Sequence, residues 1–334
     1  MGVVGGSRVE GGRSGMSLRS RAIASLLALA AAAIGLHSAA AQAAVGPGVV
    51  SGDTIVHDPS MLKLSDGRYY IYATTGVVTS TDRTKFSNAG AIFSSMPSWV
   101  RSYNPDNQLW APDVSFHGGK YLMYYTASRF ATNTSAIALA SSSTGKPGSW
   151  KDQGIVYTSK SSDDYNAIDG NLVVDGNGKW WLAFGSFWSG IKLIQLDPGT
   201  GKQLSGNTTR YSLASRPSPG AVEAPFIQQA NGWYYLFVSF DACCKGASST
   251  YKIAVGRARS VTGPYLDRAG VDMRNGGGTV IQSGLGSMHG PGGQSVFRDG
   301  DGDILVYHYY DDRGDARLGI NRLGYDGSAW PVVQ

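Results

Sequence analysis

Four carboxylates stand where a β-rich chain would otherwise bury apolar side chains. Asp58 lies in "IVHDPSML", Asp113 in "LWAPDVSF", Asp169 in "YNAIDGNLVV" and Glu223 in "GAVEAPFIQQ". By contrast, Asp66, Asp175, Asp299, Asp301 and Asp326 sit beside glycine, where turns use aspartate. Glu223 is singular, because the only other glutamate is Glu10 near the start of the chain. Its neighbours Ala221, Val222, Ala224, Pro225 and Phe226 disfavour an ionised carboxyl, which suits a proton donor near neutral pH. Pro59 biases Asp58 toward an extended backbone, a stiff seat for a general base that holds a water in line. One acid and one base on opposite sides of a bond is what hydrolysis of a glycosidic link requires. Asp169 would then be a third charge that keeps Glu223 protonated until it is needed. Asp113 reads as a structural acid that hydrogen-bonds backbone at a strand end.

These acids must be gathered from distant parts of the chain, and a repeat supplies the means. A turn ending in glycine, one residue, then an aromatic-rich strand occurs five times: "DGRYYIYATT" from 66, "GGKYLMYYTAS" from 118, "NGKWWLAFGS" from 177, "NGWYYLFVSF" from 231 and "DGDILVYHYY" from 301. Each copy is followed by a second apolar strand and another turn. The spacing of 52 to 70 residues allows four strands per copy. No window keeps a 3.6-residue apolar period for three turns, so the chain is all-β. Five four-stranded units set radially make a five-bladed β-propeller, in which the starts of the innermost strands meet on one axis. A β-sandwich is the competing architecture, but it has no reason to repeat a two-strand signature five times.

Residues 1–43 are expected to be a secretory signal peptide. Arg19 and Arg21 precede an apolar, alanine-rich run that ends in Ala41-Gln42-Ala43. A membrane anchor is the alternative, and the run is short for that. This segment holds four of the 29 basic residues and one of the 24 acidic ones, which leaves 25 against 23 in the propeller expected over 44–334. That balance offers no basic stripe for nucleic acid, and no other stretch is apolar enough for a membrane. The two cysteines are adjacent, Cys243 and Cys244. They read equally as a vicinal disulfide or as two buried thiols.

Taken in order, "VHDPS", "LWAPDV", "NTSAI", "YNAIDGNL", "FGSFWSGIKL", "VEAPFI", "CCKGASSTY" and "VTGPYLDRAG" closely resemble the arabinan-degrading members of glycoside hydrolase family 43. The resemblance runs from about residue 55 to the end. It implies a five-bladed propeller and an inverting hydrolase of α-1,5-linked arabinan or arabino-oligosaccharides, endo-acting and monomeric. Asp58 then matches the general base, Glu223 the general acid and Asp169 the residue that tunes and orients the acid. Substrate contacts implied in the same way are Trp110, Phe130, Asn166, Ala167, Ile168, Ser186, Phe187 and Trp188. Read without the resemblance, "FGSFW" is more readily hydrophobic core. The family also implies a calcium or sodium ion on the axis, held by a histidine of a "GHN"-like motif. Here that stretch reads "GPGGQSV", with Gly293 at the histidine's place. His308, expected on the fifth innermost strand, is the remaining candidate ligand. Competing readings are an exo-acting arabinofuranosidase, a β-xylosidase, or a sugar-binding propeller without catalysis. A lectin would repeat its binding residues in every blade, whereas these acids differ from blade to blade. The glycine-rich stretch between the fourth and fifth repeats is the one loop expected to be able to block an open groove.

Overall fold

A computed structural model describes residues 42–217 and 220–334. All but the last two residues of the expected export segment lie outside that range. Within it the chain forms five antiparallel sheets in sequence order, each a simple meander. Blade 1 contains Ser60–Lys63, Tyr69–Ala73, Gly76–Ser80 and Lys85–Gly90, with Ser51–Gly52 added in parallel at its outer edge. Blade 2 contains Trp110–His117, Lys120–Ala127, Ser135–Ser142 and Lys151–Ser159. Blade 3 contains Asn171–Val174, Trp180–Phe184, Ile191–Leu196 and Tyr211–Ala214. Val222–Ala230, Trp233–Phe240, Lys252–Ala258 and Thr279–Gln282 make blade 4; His289–Asp299, Gly302–Tyr310, Ala316–Tyr325 and Pro331–Val333 make blade 5. The first strands touch one another in a closed cycle, so the sheets form a five-bladed propeller.

The aromatic repeats prove to be the second strand of each blade. Their sequence follows from burial on both faces. Tyr69, Ile71 and Ala73 pack against blade 5, whereas Tyr70 and Tyr72 pack against blade 2. The same alternation sends Tyr121, Met123 and Tyr125 one way and Leu122 and Tyr124 the other. A strand covered on both faces needs a continuous apolar run rather than an alternating one. Five apolar clusters therefore fill the five gaps between neighbouring blades. His308 lies on one of these second strands and not on the innermost one, contrary to expectation.

At the top of each innermost strand one residue adopts a left-handed backbone: Asp58 (φ 52°), Ala111 (41°), Asp169 (58°), Ala224 (52°) and Gly293 (57°). In blades 2, 4 and 5 the pairing register shifts at this place, as at a β-bulge. Pro59, Pro112 and Pro225 follow in three of the five, where no ladder N–H is required. Asp58 is thus not extended as its proline suggested; its N–H donates to His308 of blade 5 and its carboxylate is bound by His57.

Two residues further down, side chains clamp each blade to the next. Ser60 Oγ accepts the Val114 N–H (3.1 Å), Asp113 Oδ2 accepts that of Leu172 (3.0 Å), and Asn171 Oδ1 accepts that of Ile227 (2.9 Å). Ser295 Oγ donates to the Pro59 carbonyl (2.8 Å), and Phe226 is the one apolar member. The ring surrounds an axial cavity of about 40 Å³. Asp113 therefore belongs to the clamp and stands below the left-handed residues, not level with Asp58 and Asp169. Burial pushes its carboxyl up to about 7, against the Leu172 N–H and Asn171, which favour the ionised form. The ring is closed by the segment after residue 44. Gln282 exchanges hydrogen bonds with the Val45 backbone (3.1 and 2.6 Å), and the Gly48 N–H donates to Ile320 in blade 5 (2.8 Å).

Candidate active site

Asp58, Asp169 and Glu223 line the floor of a cleft of about 1070 Å³ to which all five blades contribute. Asp58 and Asp169 occupy left-handed positions; Glu223 precedes one. Its longer side chain is held in place by two hydroxyls. Ser186 Oγ donates to Oε2 at 2.6 Å, and the Tyr251 hydroxyl donates to Oε1. Asp169 Oδ2 accepts the N–H of Ala224, the residue after the glutamate, at 3.1 Å. Tyr251 was not singled out from the sequence, although it closes the "CCKGASSTY" motif.

The three acids are not equivalent. Burial would raise Asp58, but the adjacent His57 charge and hydrogen bonds from His308 and His57 outweigh it and hold the carboxyl far below the usual range. Glu223 is pushed up to about 7, first by burial and then by the Asp58 charge, while the Ser186 hydrogen bond and His57 oppose the rise. Burial and the charges of Glu223 and Asp58 raise Asp169 well above an ordinary aspartate. One carboxylate is thus ionised, while two others, facing each other, retain protons near neutral pH as a coupled pair.

The cleft walls carry aromatic faces beside these acids. Trp110 stands 5.2 Å from Phe130 between ring centroids, and Phe130 is 73% exposed. Phe187 and Trp188 are each 47% exposed and line the cleft, so the two aromatics of "SFW" are surface and not core, beside the buried Ser186. Asn166, Ile168 and Ser186 line it as well. Ala167 does not. It is fully buried among blade 2 and blade 3 side chains and donates its N–H to Ser159 Oγ at 2.8 Å. It lies on the loop before the Asn171–Val174 strand, and its N–H bond to Ser159 holds it against the interblade core between two lining neighbours. Nothing from the glycine-rich stretch lines the cleft, because that stretch forms the outer strand of blade 4 and the start of blade 5.

The profile of the "Glycosyl hydrolases family 43" matches residues 49–325. The chain belongs to that family. The "Extracellular endo-alpha-(1->5)-L-arabinanase 1" of Bacillus subtilis is 46% identical, over 91% of this chain and 94% of its own length. The "Extracellular exo-alpha-(1->5)-L-arabinofuranosidase ArbA" of Cellvibrio japonicus is 37% identical, over 83% and 86%. The solved structure of a family 43 endo-arabinanase from Bacillus licheniformis superposes with a TM-score of 0.79 at 48% identity, covering 85% of this chain and 99% of that one. The cleft is therefore that of a glycoside hydrolase.

The family's axial ion has one candidate ligand to test. Position 293 cannot supply a side chain: a Cβ there would lie 2.2 Å from Asp58 Oδ1 and 2.8 Å from His308 Cε1 and Nδ1. His308 is fully buried, and its Nε2 has no partner among the described residues. Its Nδ1 accepts the Asp58 backbone N–H at 3.1 Å and lies 3.4 Å from Oδ1. In the neutral ring this leaves the proton on Nε2, whose partner must then be a water; the other tautomer would set two N–H groups against each other at Nδ1. His57 is no ligand, since Asp58 Oδ2 and the Tyr310 hydroxyl occupy both its nitrogens at 2.9 and 2.8 Å. The described residues as placed thus do not fit a cation at His308 Nε2.

Proposed function

We propose that this family 43 hydrolase is a secreted, inverting endo-arabinanase that cuts α-1,5-linked L-arabinofuranosyl bonds of arabinan. The observation that carries the reading is the inequality of its carboxyls at the floor of a cleft: Asp58 is bound by His57, which holds it low, while Glu223 is buried beneath two hydroxyls and pushed up to about 7. In this mechanism Asp58 takes a proton from a water as that water attacks the anomeric carbon. Glu223 gives its proton to the departing glycosidic oxygen, so the bond breaks without expelling an alkoxide. Asp169, tied to the Ala224 N–H, sets the acid's position, while burial and the Asp58 charge resist its early ionisation. The Trp110–Phe130 pair and Trp188 offer faces on which the C–H sides of sugars stack.

The names of the Bacillus relatives support arabinan as substrate, and the extracellular ones support export, together with the pattern over residues 19–43. The exo-acting Cellvibrio relative shares the same frame, which makes exo cleavage the second reading. Debranched arabinan separates the two. An endo enzyme drops viscosity sharply while few reducing ends have formed, and releases a ladder of oligosaccharides. Arabinose or one short oligosaccharide as the sole early product would favour the exo reading. NMR of a fresh digest should show β-anomeric reducing ends first; α-anomers appearing first would overturn single displacement.

A further inference from the structure

Tyr310 and the Cys243–Cys244 pair have no part in the mechanism above, yet hydrogen bonds run from them to the base without a gap. The two sulfurs are joined as a disulfide. An ionised carboxylate only accepts, so His57 Nδ1, 2.9 Å from Asp58 Oδ2, must donate. His57 Nε2 meets the Tyr310 hydroxyl at 2.8 Å, and the Tyr310 oxygen accepts the Cys244 N–H at 3.1 Å. A phenol can donate to a neutral imidazole or accept from a charged one, so this link holds in either state of His57. His57 is also fixed from the side, stacked on His308 with centroids 3.9 Å apart. Cys244 is itself left-handed (φ 64°), and the disulfide ties it to its neighbour, which limits where its N–H can point.

We infer that Tyr310, anchored by the cystine loop, is a positioning residue for the base: it holds His57 so that Nδ1–H keeps one Asp58 oxygen and leaves the other for water. This rests on Asp58 being the base. A small misplacement of a reacting group costs about 10–100-fold in rate. Tyr310→Phe, which removes only the hydroxyl, is therefore expected to lower kcat by about that factor with KM within about twofold. The loss should appear equally on debranched arabinan and on an activated aryl arabinofuranoside, since both need the water. Cys243→Ala/Cys244→Ala should slow the wild type but add less than about twofold to Tyr310→Phe, because the same link is already cut. Wild-type kcat in a folded Tyr310→Phe enzyme would overturn the inference, as would a raised KM at unchanged kcat, which would mark a substrate contact instead. Fully additive losses would remove the cystine from the relay. His57→Gln cuts the chain one link nearer the base, must lose at least as much as Tyr310→Phe, and decides the matter if Tyr310→Phe does not fold. Asp58→Asn tests the underlying assignment separately: it should be inactive on both substrates whatever Tyr310 shows.

Discussion

Glu223 accepts a hydrogen bond from Ser186 whose effect opposes its burial, and this makes its proton affinity adjustable. Ser186 donates to Oε2 and favours the ionised form, so the rise to about 7 is smaller than burial alone would give. A general acid must be protonated, so activity should fall as pH rises through about 7, the limb belonging to the coupled Asp169–Glu223 pair. Ser186→Ala removes the donor and should move that limb upward; a pH profile of kcat/KM in which it stays or moves down would contradict the account. Glu223→Gln should cost roughly 10²–10⁴-fold on arabinan, whose leaving alcohol needs a proton, and much less on an activated aryl arabinofuranoside. Equal losses on the two substrates would remove Glu223 from the acid's role.

At the scale of the strand, Asp113 shows what the innermost ladder demands. Its carboxylate clamps blade 2 to blade 3 through the Leu172 N–H, yet burial raises it from 3.8 to about 7. The folded state therefore binds a proton that the unfolded chain releases near pH 4, and stability falls as pH rises between those values, then levels off. Asp113→Asn keeps an acceptor for Leu172 and abolishes this fall. At pH 8 the variant should be the more stable by on the order of 1–3 kcal/mol, with little difference at pH 4. Denaturant titrations at the two pH values that run parallel for both proteins would assign Asp113 no such role.

Across the whole molecule, the closed ring brings residues from five blades to one axis, and the implied axial cation is tested at that scale. Thorough chelation is expected to leave hydrolysis unchanged, because His308 Nε2 carries the proton and offers no lone pair; loss of activity on chelation, matched by His308→Ala, would instead put a cation on that nitrogen. Full activity after verified metal removal would give the orphaned nitrogen a water. The groove is also a property of the assembled ring: its walls come from the tops of separate blades, and the longest glycine-rich stretch lies elsewhere. That placement is what makes the viscosity of arabinan the decisive measurement for the molecule as a whole.

The propeller was legible because every second strand is buried on both faces, and that burial imposes an apolar, aromatic run that the sequence repeats five times. Asp58, Asp169 and Glu223 were legible because charge is costly among apolar neighbours, so an acid in such company stands out. The resemblance supplied the walls, but the structure buries Ala167 between blades, because its facing is set by contacts with Ser159 and the interblade core that a motif does not encode. What only the tertiary structure decided depends on contacts between distant blades. Asp58 is left-handed despite its proline, bound by His57 beside it and by His308 of blade 5; Asp113 serves the clamp because its partner N–H is in the next blade. Gly293 and His308 are paired because one occupies the space beside the other. Tyr310, Cys244 and His57 meet only when blades 1, 4 and 5 close the ring, and no local pattern records hydrogen bonds between residues 66 and 253 positions apart.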